Sequence, residues 1–448
     1  MANFSKSNVP QFSVDVYQNE YLPDGAREVN AIVTVSSTGG GTIGSAVAAP
    51  HLYTAGQGPD AAVAIMVDCS GSMDYPPTKM RGARDATAAA IDSVRDGVHF
   101  AVIGGTHVAK EVYPGGGRLA VADAATREQA KQALRKLSAG GGTAIGTWLR
   151  LADRLLSSAD VSIRHGIVLT DGRNEHESPE DLKAALDSCA GRFTCDARGV
   201  GTDWEVKEVT GIASALLGTA DIVADPAALT ADFTHMMETA MGKEVADVAL
   251  RLWTPVGTEI KFVKQVAPTV EELTGRRTEA GPRAGDYPTG SWGDESRDYH
   301  VCVEVPSAGI GQEMLAARVS LVIPQSDGSV QNLGAQGLVR AVWTDDMAAS
   351  TSINPQVAHY TGQAELAQVI QQGLDARKLG DVDGATAKLG RAVQLASASG
   401  NADTAKLLAK VVDVVDAAAG TVRLKARVEE ADEMTLETRS TKTVRVKK

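Results

Sequence analysis

Three oxygen-bearing side chains of this sequence lie on one short segment that directly follows an apolar run. Residues 61–67 are apolar throughout, and Asp68, Ser70 and Ser72 come next in the pattern Asp-x-Ser-x-Ser. One carboxylate and two hydroxyls at this spacing can converge on one loop, and such hard oxygen ligands suit a hard divalent cation such as Mg²⁺. Asp, Ser and Gly after a strand are also common in turns and helix caps, so this segment alone leaves both interpretations open.

Two later segments carry further oxygen ligands. Residues 140–142 are all glycine and precede Thr143, and Asp171 comes shortly after the apolar residues 167–169. In a parallel α/β sheet, ligands bind beyond the carboxyl ends of the strands, where Asp68 and Asp171 are both expected to lie. Glycine has no Cβ, so the Gly-rich loop can bring Thr143 close to them. A Gly-rich loop before Thr is also common at the start of a helix, which is the alternative for Thr143.

These segments resemble the metal-ion-dependent adhesion site of von Willebrand factor A domains. Five residues of this sequence match the positions of the family's site: Asp68, Ser70, Ser72, Thr143 and Asp171. The resemblance implies a bound Mg²⁺ (or Mn²⁺ or Ca²⁺) and an Asp or Glu of a protein partner as the sixth ligand. Two carboxylates balance the charge of a dication, and three hydroxyls add coordination without adding charge.

Strand and helix patterns alternate over residues 58–242 and predict the fold around the site. The strand at 61–67 is apolar throughout, as expected for a strand covered on both faces. Such alternation predicts an α/β fold with a doubly wound parallel sheet. The resemblance covers the whole segment. It implies a Rossmann-like von Willebrand factor A (vWA) domain of the intracellular bacterial type, with β-sandwich flanks around it.

The rest of the sequence predicts further segments around the vWA domain. Residues 1–57 and 243–350 carry strand patterns, and we expect them to form one antiparallel β-sandwich into which the vWA domain is inserted. Residues 355–420 predict a helical hairpin region with a further helix near 403–415. A tetratricopeptide-type hairpin and a helical cap on the sandwich are both open there. Residues 421–448 are expected to be a charged, solvated tail.

Composition excludes several classes of function. The net charge is −12, which argues against nucleic acid as the principal partner. No window approaches ~18 apolar residues, so no membrane span is expected, and the N-terminus lacks a signal-peptide pattern. The four cysteines (Cys69, Cys189, Cys195 and Cys302) show no zinc spacing. Reduced thiols and a cytoplasmic location are therefore expected.

Three functions remain to be compared. The first is a scaffold protein whose metal site binds an acidic residue of a partner. By analogy with bacterial members of the family, that partner would be a kinase, phosphatase, phosphopeptide-binding or AAA+ protein in stress signalling. The second is a metal-stabilised structural subunit of an assembly. The third is a metal-dependent hydrolase with His165 or His176 near a bound water. The sequence has no recognised catalytic motif, so we expect a protein that is not an enzyme.

Overall fold

A computed structural model of the chain describes residues 10–38, 60–325 and 328–446. Within these ranges the chain forms two compact units. One unit comprises residues 60–246, and the other joins residues 10–38 to residues 247–446. The expected boundary between residues 57 and 58 lies outside the described ranges, so that boundary stays a prediction.

The chain starts with three strands. These are β1 (Gln11–Gln18), β2 (Tyr21–Leu22) and β3 (Glu28–Thr38). β1 and β3 pair in an antiparallel fashion, with Val14 opposite Val35. The interior of β3 is largely buried, because this strand has a neighbour on each side.

Strands and helices then alternate, as the sequence predicts. In chain order they are β4 (Ala61–Asp68), α1 (Thr78–Ser93), β5 (His99–Gly105), β6 (Ala109–Tyr113), β7 (Ala120–Val121), α2 (Ala124–Leu134), α3 (Ile145–Leu156), β8 (Ile163–Thr170), α4 (Pro179–Cys189), β9 (Thr194–Val200), α5 (Val206–Ala215), β10 (Ala220–Val223) and α6 (Leu229–Met241). Two short 3₁₀ helices, Gly71–Asp74 and Pro226–Ala228, lie among them.

The strands of this unit form one mixed sheet in the order β10-β9-β8-β4-β5-β6. β10, β9, β8, β4 and β5 are parallel to one another, whereas β6 and β7 pair antiparallel with β5. On one face, Val63, Ile65 and Val67 of β4 pack in a core with α1, α2 and α6. α3 and α5 contact strands of the sheet outside that core, with α4 packed between them. The predicted doubly wound α/β fold is confirmed.

Eight strands follow α6. They are β11 (Val245–Trp253), β12 (Glu259–Ala267), β13 (Glu271–Glu272), β14 (Thr278–Gly281), β15 (Ala284–Trp292), β16 (Glu295–Glu304), β17 (Glu313–Pro324) and β18 (Val330–Trp343), with a 3₁₀ helix at Thr274–Arg276. They complete two sheets, in the orders β1-β3-β16-β12-β13 and β14-β15-β11-β17-β18-β2.

Both sheets combine strands from before and after the α/β unit. In the first, β3 pairs antiparallel with β16, and Ile32 lies opposite His300. In the second, β2 pairs with β18. The sheets pack on each other through contacts such as the edge-on pair Phe12 and Trp292, whose ring centroids are 5.6 Å apart. The α/β fold is thus inserted in a largely antiparallel sandwich, as predicted, in which the short β2 pairs parallel with β18.

The C-terminal region is more extensive than a helical hairpin. It contains α7 (Met347–Thr351), α8 (Pro355–Lys378), α9 (Val382–Ala398), α10 (Ala402–Val411), β19 (Val412–Asp416), β20 (Thr421–Leu424) and α11 (Glu430–Arg439). The helix expected at 403–415 ends at Val411, where the chain continues as β19. β19 and β20 pair, and one apolar core joins α8 to α11 through residues such as Ile370 and Leu436.

The expectation of a charged, solvated tail over residues 421–448 is therefore wrong. Besides β20 and α11, the segment after α11 is bound to the sandwich. The Thr443 amide donates a 2.9 Å hydrogen bond to the carbonyl of Pro268, and Arg445 Nη2 lies 3.0 Å from Asp298 Oδ1. The sequence hides this because the acid that pairs with Arg445 is distant in the chain.

The structure also bears on two exclusions drawn from composition. Within the described ranges, no helix is both long enough and apolar enough to cross a membrane. The four cysteines are all unpaired and buried, so the thiols pack as small apolar groups.

Candidate metal centre

Strands β4 and β8 position the two carboxylates that the sequence singled out. Asp68 is the last residue of β4, and Asp171 directly follows β8. These strands are parallel neighbours, with Val67 opposite Leu169, so their carboxyl ends lie side by side. Both aspartates have no solvent exposure. Two buried acids at one edge of the sheet require compensating charge or hydrogen bonds.

The carboxylate of Asp68 is held by two donors. The Ser70 amide donates to Oδ1 at 2.8 Å, and Thr170 Oγ1 donates to Oδ2 at 2.7 Å. Burial raises the pKa of Asp68 and the charge of Asp171 adds to the effect, while the hydrogen bonds from Ser70 and Thr170 partly oppose it. A cation next to these acids would stabilise their ionised forms.

The two serine hydroxyls link Asp68's loop to Asp171. The 3₁₀ helix Gly71–Asp74 turns the chain after Ser70, so that Ser70 Oγ and Ser72 Oγ lie 2.9 Å apart. Ser72 Oγ in turn donates a 2.7 Å hydrogen bond to Asp171 Oδ1. The two hydroxyls therefore form a row of hydrogen bonds that ends on the carboxylate of Asp171.

Gly172 shows that the third hydroxyl joins the same group. A Cβ atom on Gly172 would lie 2.9 Å from Ser72 Oγ, 3.5 Å from Thr143 Oγ1 and 3.7 Å from Ser70 Oγ. Three hydroxyls from two separate segments thus surround one point beside Asp171. The structure brings together all five residues that the sequence selected.

The Gly-rich loop reaches this point because it is tied to its neighbours. The Gly71 amide donates to the Gly141 carbonyl at 2.8 Å, and the Gly140 amide donates to the Cys69 carbonyl at 2.8 Å. Gly141 has a φ of 86°, in the left-handed region that glycine adopts without strain. These bonds hold the loop against the segment that carries Ser70 and Ser72.

The segment after Asp171 supports Thr143 from the other side. The His176 amide donates to the Thr143 carbonyl at 3.0 Å. Asn174 Oδ1 accepts from the amide of Ile145, and Glu177 Oε2 accepts from that of Gly146, at the start of α3. Sequence reasoning missed these supports, since an acceptor that caps a helix from another segment leaves no local pattern.

Lys79 is a further residue of the site that the sequence did not reveal. Its Nζ lies 2.8 Å from Asp171 Oδ2 and 3.1 Å from Asp203 Oδ2. Burial alone would lower the pKa of Lys79, but the two neighbouring carboxylates outweigh it and raise the pKa. The sequence did contain one signal for this contact. Lys79 lies in the first turn of a helix, where the helix dipole disfavours a positive charge, so an acidic partner outside the helix could be expected.

Comparisons with known proteins show the family of this chain. A model of the von Willebrand factor type A domain matches residues 61–222, and a model of the von Willebrand factor type A C-terminal domain matches residues 394–440. A solved structure, von Willebrand factor type A from Catenulispora acidiphila, is 51% identical, covers 99% of both chains and has a TM-score of 0.91. The chain belongs to the von Willebrand factor type A family.

More distant structures share the fold of this vWA protein. The ArnB paralog VWA2 from Sulfolobus acidocaldarius is 13% identical, covers 96% of this chain and 98% of its own, and has a TM-score of 0.59. The human COPII-coat protein Sec24c is 10% identical, covers 86% of this chain and 57% of its own, and has a TM-score of 0.52. Identities this low show the fold alone. No curated protein matches the chain.

The side chains of the vWA site fit a hard divalent cation. Asp171 Oδ2 is buried without an aligned hydrogen bond, although it forms an ion pair with Lys79. The five clustered side chains offer carboxylate and hydroxyl oxygens, which suit Mg²⁺, Mn²⁺ or Ca²⁺. Within the described ranges, no group of three or more His, Cys, Asp and Glu side chains could hold a metal. Any metal site built from these five side chains would therefore need hydroxyl oxygens as well as carboxylates.

The two histidines considered for water activation differ in position. His165 is buried early in β8, where Nε2 lies 2.9 Å from Asp196 Oδ2 and Nδ1 lies 2.9 Å from Thr194 Oγ1. It is a core histidine with both ring nitrogens satisfied. His176 is exposed and supports Thr143 twice, since its amide donates to the Thr143 carbonyl and its Nδ1 accepts from the Thr143 amide at 3.4 Å. In the described part of the chain, both ring nitrogens of His165 and Nδ1 of His176 bond to other groups, and neither ring is hydrogen-bonded to Asp68 or Asp171 in a way that would prepare it as a base.

Proposed function

We propose that this chain is a metal-dependent protein-interaction module that binds the carboxylate of a partner's Asp or Glu. The cation is Mg²⁺, with Mn²⁺ or Ca²⁺ as possible substitutes, and its ligands are the five clustered side chains Asp68, Ser70, Ser72, Thr143 and Asp171. The observation that carries the proposal is the group of three hydroxyls around one point next to a buried carboxylate.

The donor set explains why a partner's acid would bind. A dication bound here supplies a coordination position for an oxygen of the partner. Asp68 and Asp171 balance its charge, and the hydroxyls complete the shell without making it anionic. Thr170 and the Ser70 amide orient Asp68, while Ser72 orients Asp171. The residues of the chain thus prepare the site before a cation arrives.

We place this function in a cytoplasmic scaffold, with kinase, phosphatase, phosphopeptide-binding or AAA+ partners in bacterial stress signalling. Four unpaired, buried cysteines support a reducing compartment, and the partner classes rest on family analogy. In this proposal the protein is not an enzyme. The satisfied state of His165 supports that interpretation over a hydrolase.

The test is capture of a partner from a cell extract with immobilised protein, in Mg²⁺ and in chelator. We expect capture in Mg²⁺, loss in chelator, and no capture by Asp68→Ala. Asp187→Ala is the matched control, because this aspartate has 67% side-chain exposure and pairs with Lys183. Thr143→Ala should weaken capture more than it weakens metal binding. Capture that survives both chelator and Asp68→Ala would refute the proposal and favour a purely structural metal site.

A further inference from the structure

Lys79 places a fixed positive charge inside the proposed metal site. Its side chain has 14% exposure, and Nζ lies 2.8 Å from Oδ2 of the fully buried Asp171. The same ammonium donates to Asp203 Oδ2 at 3.1 Å and to the carbonyl of Ser72 at 3.4 Å. The ammonium of Lys79 therefore contacts the side chain of one proposed ligand, Asp171, and the backbone carbonyl of another, Ser72.

The position of Lys79 in its helix disfavours its charge. It is the second residue of α1, and the first turn of α1 contains no acidic residue. Positive charge near a helix N-terminus opposes the helix dipole. The charge of the ammonium is thus balanced by acids outside its own helix, Asp171 and Asp203. Of these two acids, Asp203 has 70% exposure and its charge is largely screened by solvent.

We propose that Lys79 is the resident counter-ion of Asp171, which a divalent cation has to displace from Oδ2. Lys79 then lowers the affinity of the site for metal and stabilises the fold when no metal is bound. This inference rests on the proposed function, since it assumes that Asp171 is a metal ligand. Asp203 offers the displaced ammonium a second partner within reach.

Lys79 also changes the net charge of the site when a divalent cation is bound. Asp68, Asp171 and Lys79 together carry one net negative charge. A dication changes this sum to one net positive charge, whereas without Lys79 the loaded site would be neutral. Lys79 therefore opposes the cation but favours an anionic partner once the cation is bound. This device selects for partners with an acidic residue.

The experiment is calorimetric titration of the full chain with Mn²⁺ alone. We expect Lys79→Met to bind Mn²⁺ at least about tenfold more tightly than the wild type, because a like charge next to the cation is removed. Lys79→Arg keeps the charge and should stay within about threefold of the wild type. Lys131→Met is the matched control, since Lys131 also bridges two acids, Asp92 and Glu128, and should not change the affinity.

Thermal unfolding gives a second readout. In chelator, Lys79→Met should melt below the wild type, because Asp171 loses its counter-ion, and saturating Mn²⁺ should close this gap. If Lys79→Met does not fold without metal, Lys79→Gln replaces it, as the amide keeps a donor for Asp171 without the charge.

The outcomes separate this inference from the proposed function. Wild-type protein that binds Mn²⁺ together with a Lys79→Met variant that binds no more tightly would overturn the role of Lys79 alone. Absence of Mn²⁺ binding in the wild type and in every variant would refute the proposed function and this inference with it. Tighter binding by Lys79→Met, but not by Lys79→Arg or Lys131→Met, supports both.

Discussion

Ser72 Oγ donates a 2.7 Å hydrogen bond to Asp171 Oδ1, across 99 positions of the chain. The bond uses the hydroxyl proton, so the serine oxygen can only accept from other partners: one lone pair faces the hydroxyl of Ser70, 2.9 Å away, and the other stays available. One contact thus orients a hydroxyl as an acceptor and fixes a carboxylate next to it. This is the arrangement that a hard cation requires from neutral ligands.

The first prediction compares the loss of a charged ligand with the loss of a neutral one. Asp68→Ala should weaken Mg²⁺ or Mn²⁺ binding by roughly a hundredfold or more, and Ser72→Ala by about tenfold, because a dication depends more on carboxylates than on hydroxyls. Calorimetry measures both affinities, and circular dichroism checks that the variants fold. Equal affinity in the wild type and Asp68→Ala would contradict the assignment of the site.

The second prediction concerns the space next to Gly172. Gly172→Ala places a Cβ 2.9 Å from Ser72 Oγ, so the hydroxyl that donates to Asp171 has to shift. We expect a loss of metal affinity of about tenfold or more with little change in the fold. Gly211→Ala is the control, because its Cβ meets open space on α5. A Gly172→Ala variant with wild-type affinity would show that the cation does not use this group of hydroxyls.

The ligand set could be predicted from the sequence because its residues lie at fixed offsets from apolar strands. Asp68 ends one such strand and Asp171 directly follows another, and parallel neighbours bring strand ends together. Metal binding by the five residues stays a prediction until it is measured. The counter-ion could not be found this way, because contact between Lys79 and Asp171 depends on how α1 packs on the sheet and not on local spacing.

Strand β18 of the sandwich was not predicted from the sequence, and Gly337 shows the reason. β18 alternates buried and exposed residues from Gly334 to Ala341, but one of its buried positions is a glycine with no apolar side chain to mark it. A Cβ on Gly337 would lie 2.6 Å from Val16 Cγ2 and 2.9 Å from Val14 Cγ1. The apolar groups at this position come from the facing sheet, which the local sequence does not show.

The third prediction tests how α8 is attached to the sandwich. Tyr360 OH donates to Asp298 Oδ2 at 2.5 Å, and Asp298 is buried. Tyr360→Phe should lower the free energy of unfolding by about 1–3 kcal/mol, because a buried carboxylate loses a donor. Urea titration measures the change. Tyr21→Phe, at a residue with 43% exposure, is the control and should change stability by less than about 0.5 kcal/mol. Equal effects of the two variants would contradict this role of Tyr360.

The fourth prediction is a pH dependence from His300. Burial, with a smaller contribution from the charge of Lys264, lowers the pKa of His300 from 6.5 to about 4. The unfolded chain therefore binds a proton more readily than the folded chain between these values. The contribution of His300 to the free energy of unfolding is therefore complete above pH 6.5, decreases as the pH falls towards 4, and then stays constant. From pH 7 to pH 5 the contribution of His300 should decrease by about 2 kcal/mol.

His300→Gln isolates that contribution, because the amide does not titrate and can still donate to Asn30, which lies 2.9 Å from His300 Nε2. Urea titrations of both proteins at pH 7 and pH 5 give the difference. If the wild type and the variant lose the same stability, His300 is not the source of the pH dependence.

The fifth prediction concerns the independence of the two units. A fragment of residues 58–244 should be folded and should bind metal, since its sheet and its site lie within residues 60–246. Deletion of residues 1–38 removes β1, β2 and β3 and leaves one edge of β16 and one edge of β18 unpaired, so the sandwich should not form. Circular dichroism and melting curves check both proteins. A deletion variant that melts like the full chain would contradict the contribution of β3.

The pairing of β3 with β16 sets an order of events during protein synthesis. Thr34 and Asp298, whose side chains meet in the folded protein, are 264 residues apart. At about 5–20 residues per second, a ribosome needs roughly 15–50 s to make the intervening chain. The vWA domain emerges completely in that interval, whereas β1 and β3 still lack the third strand of their sheet. A nascent chain therefore carries an unpaired strand edge beside a finished domain, which is the kind of surface that chaperones bind.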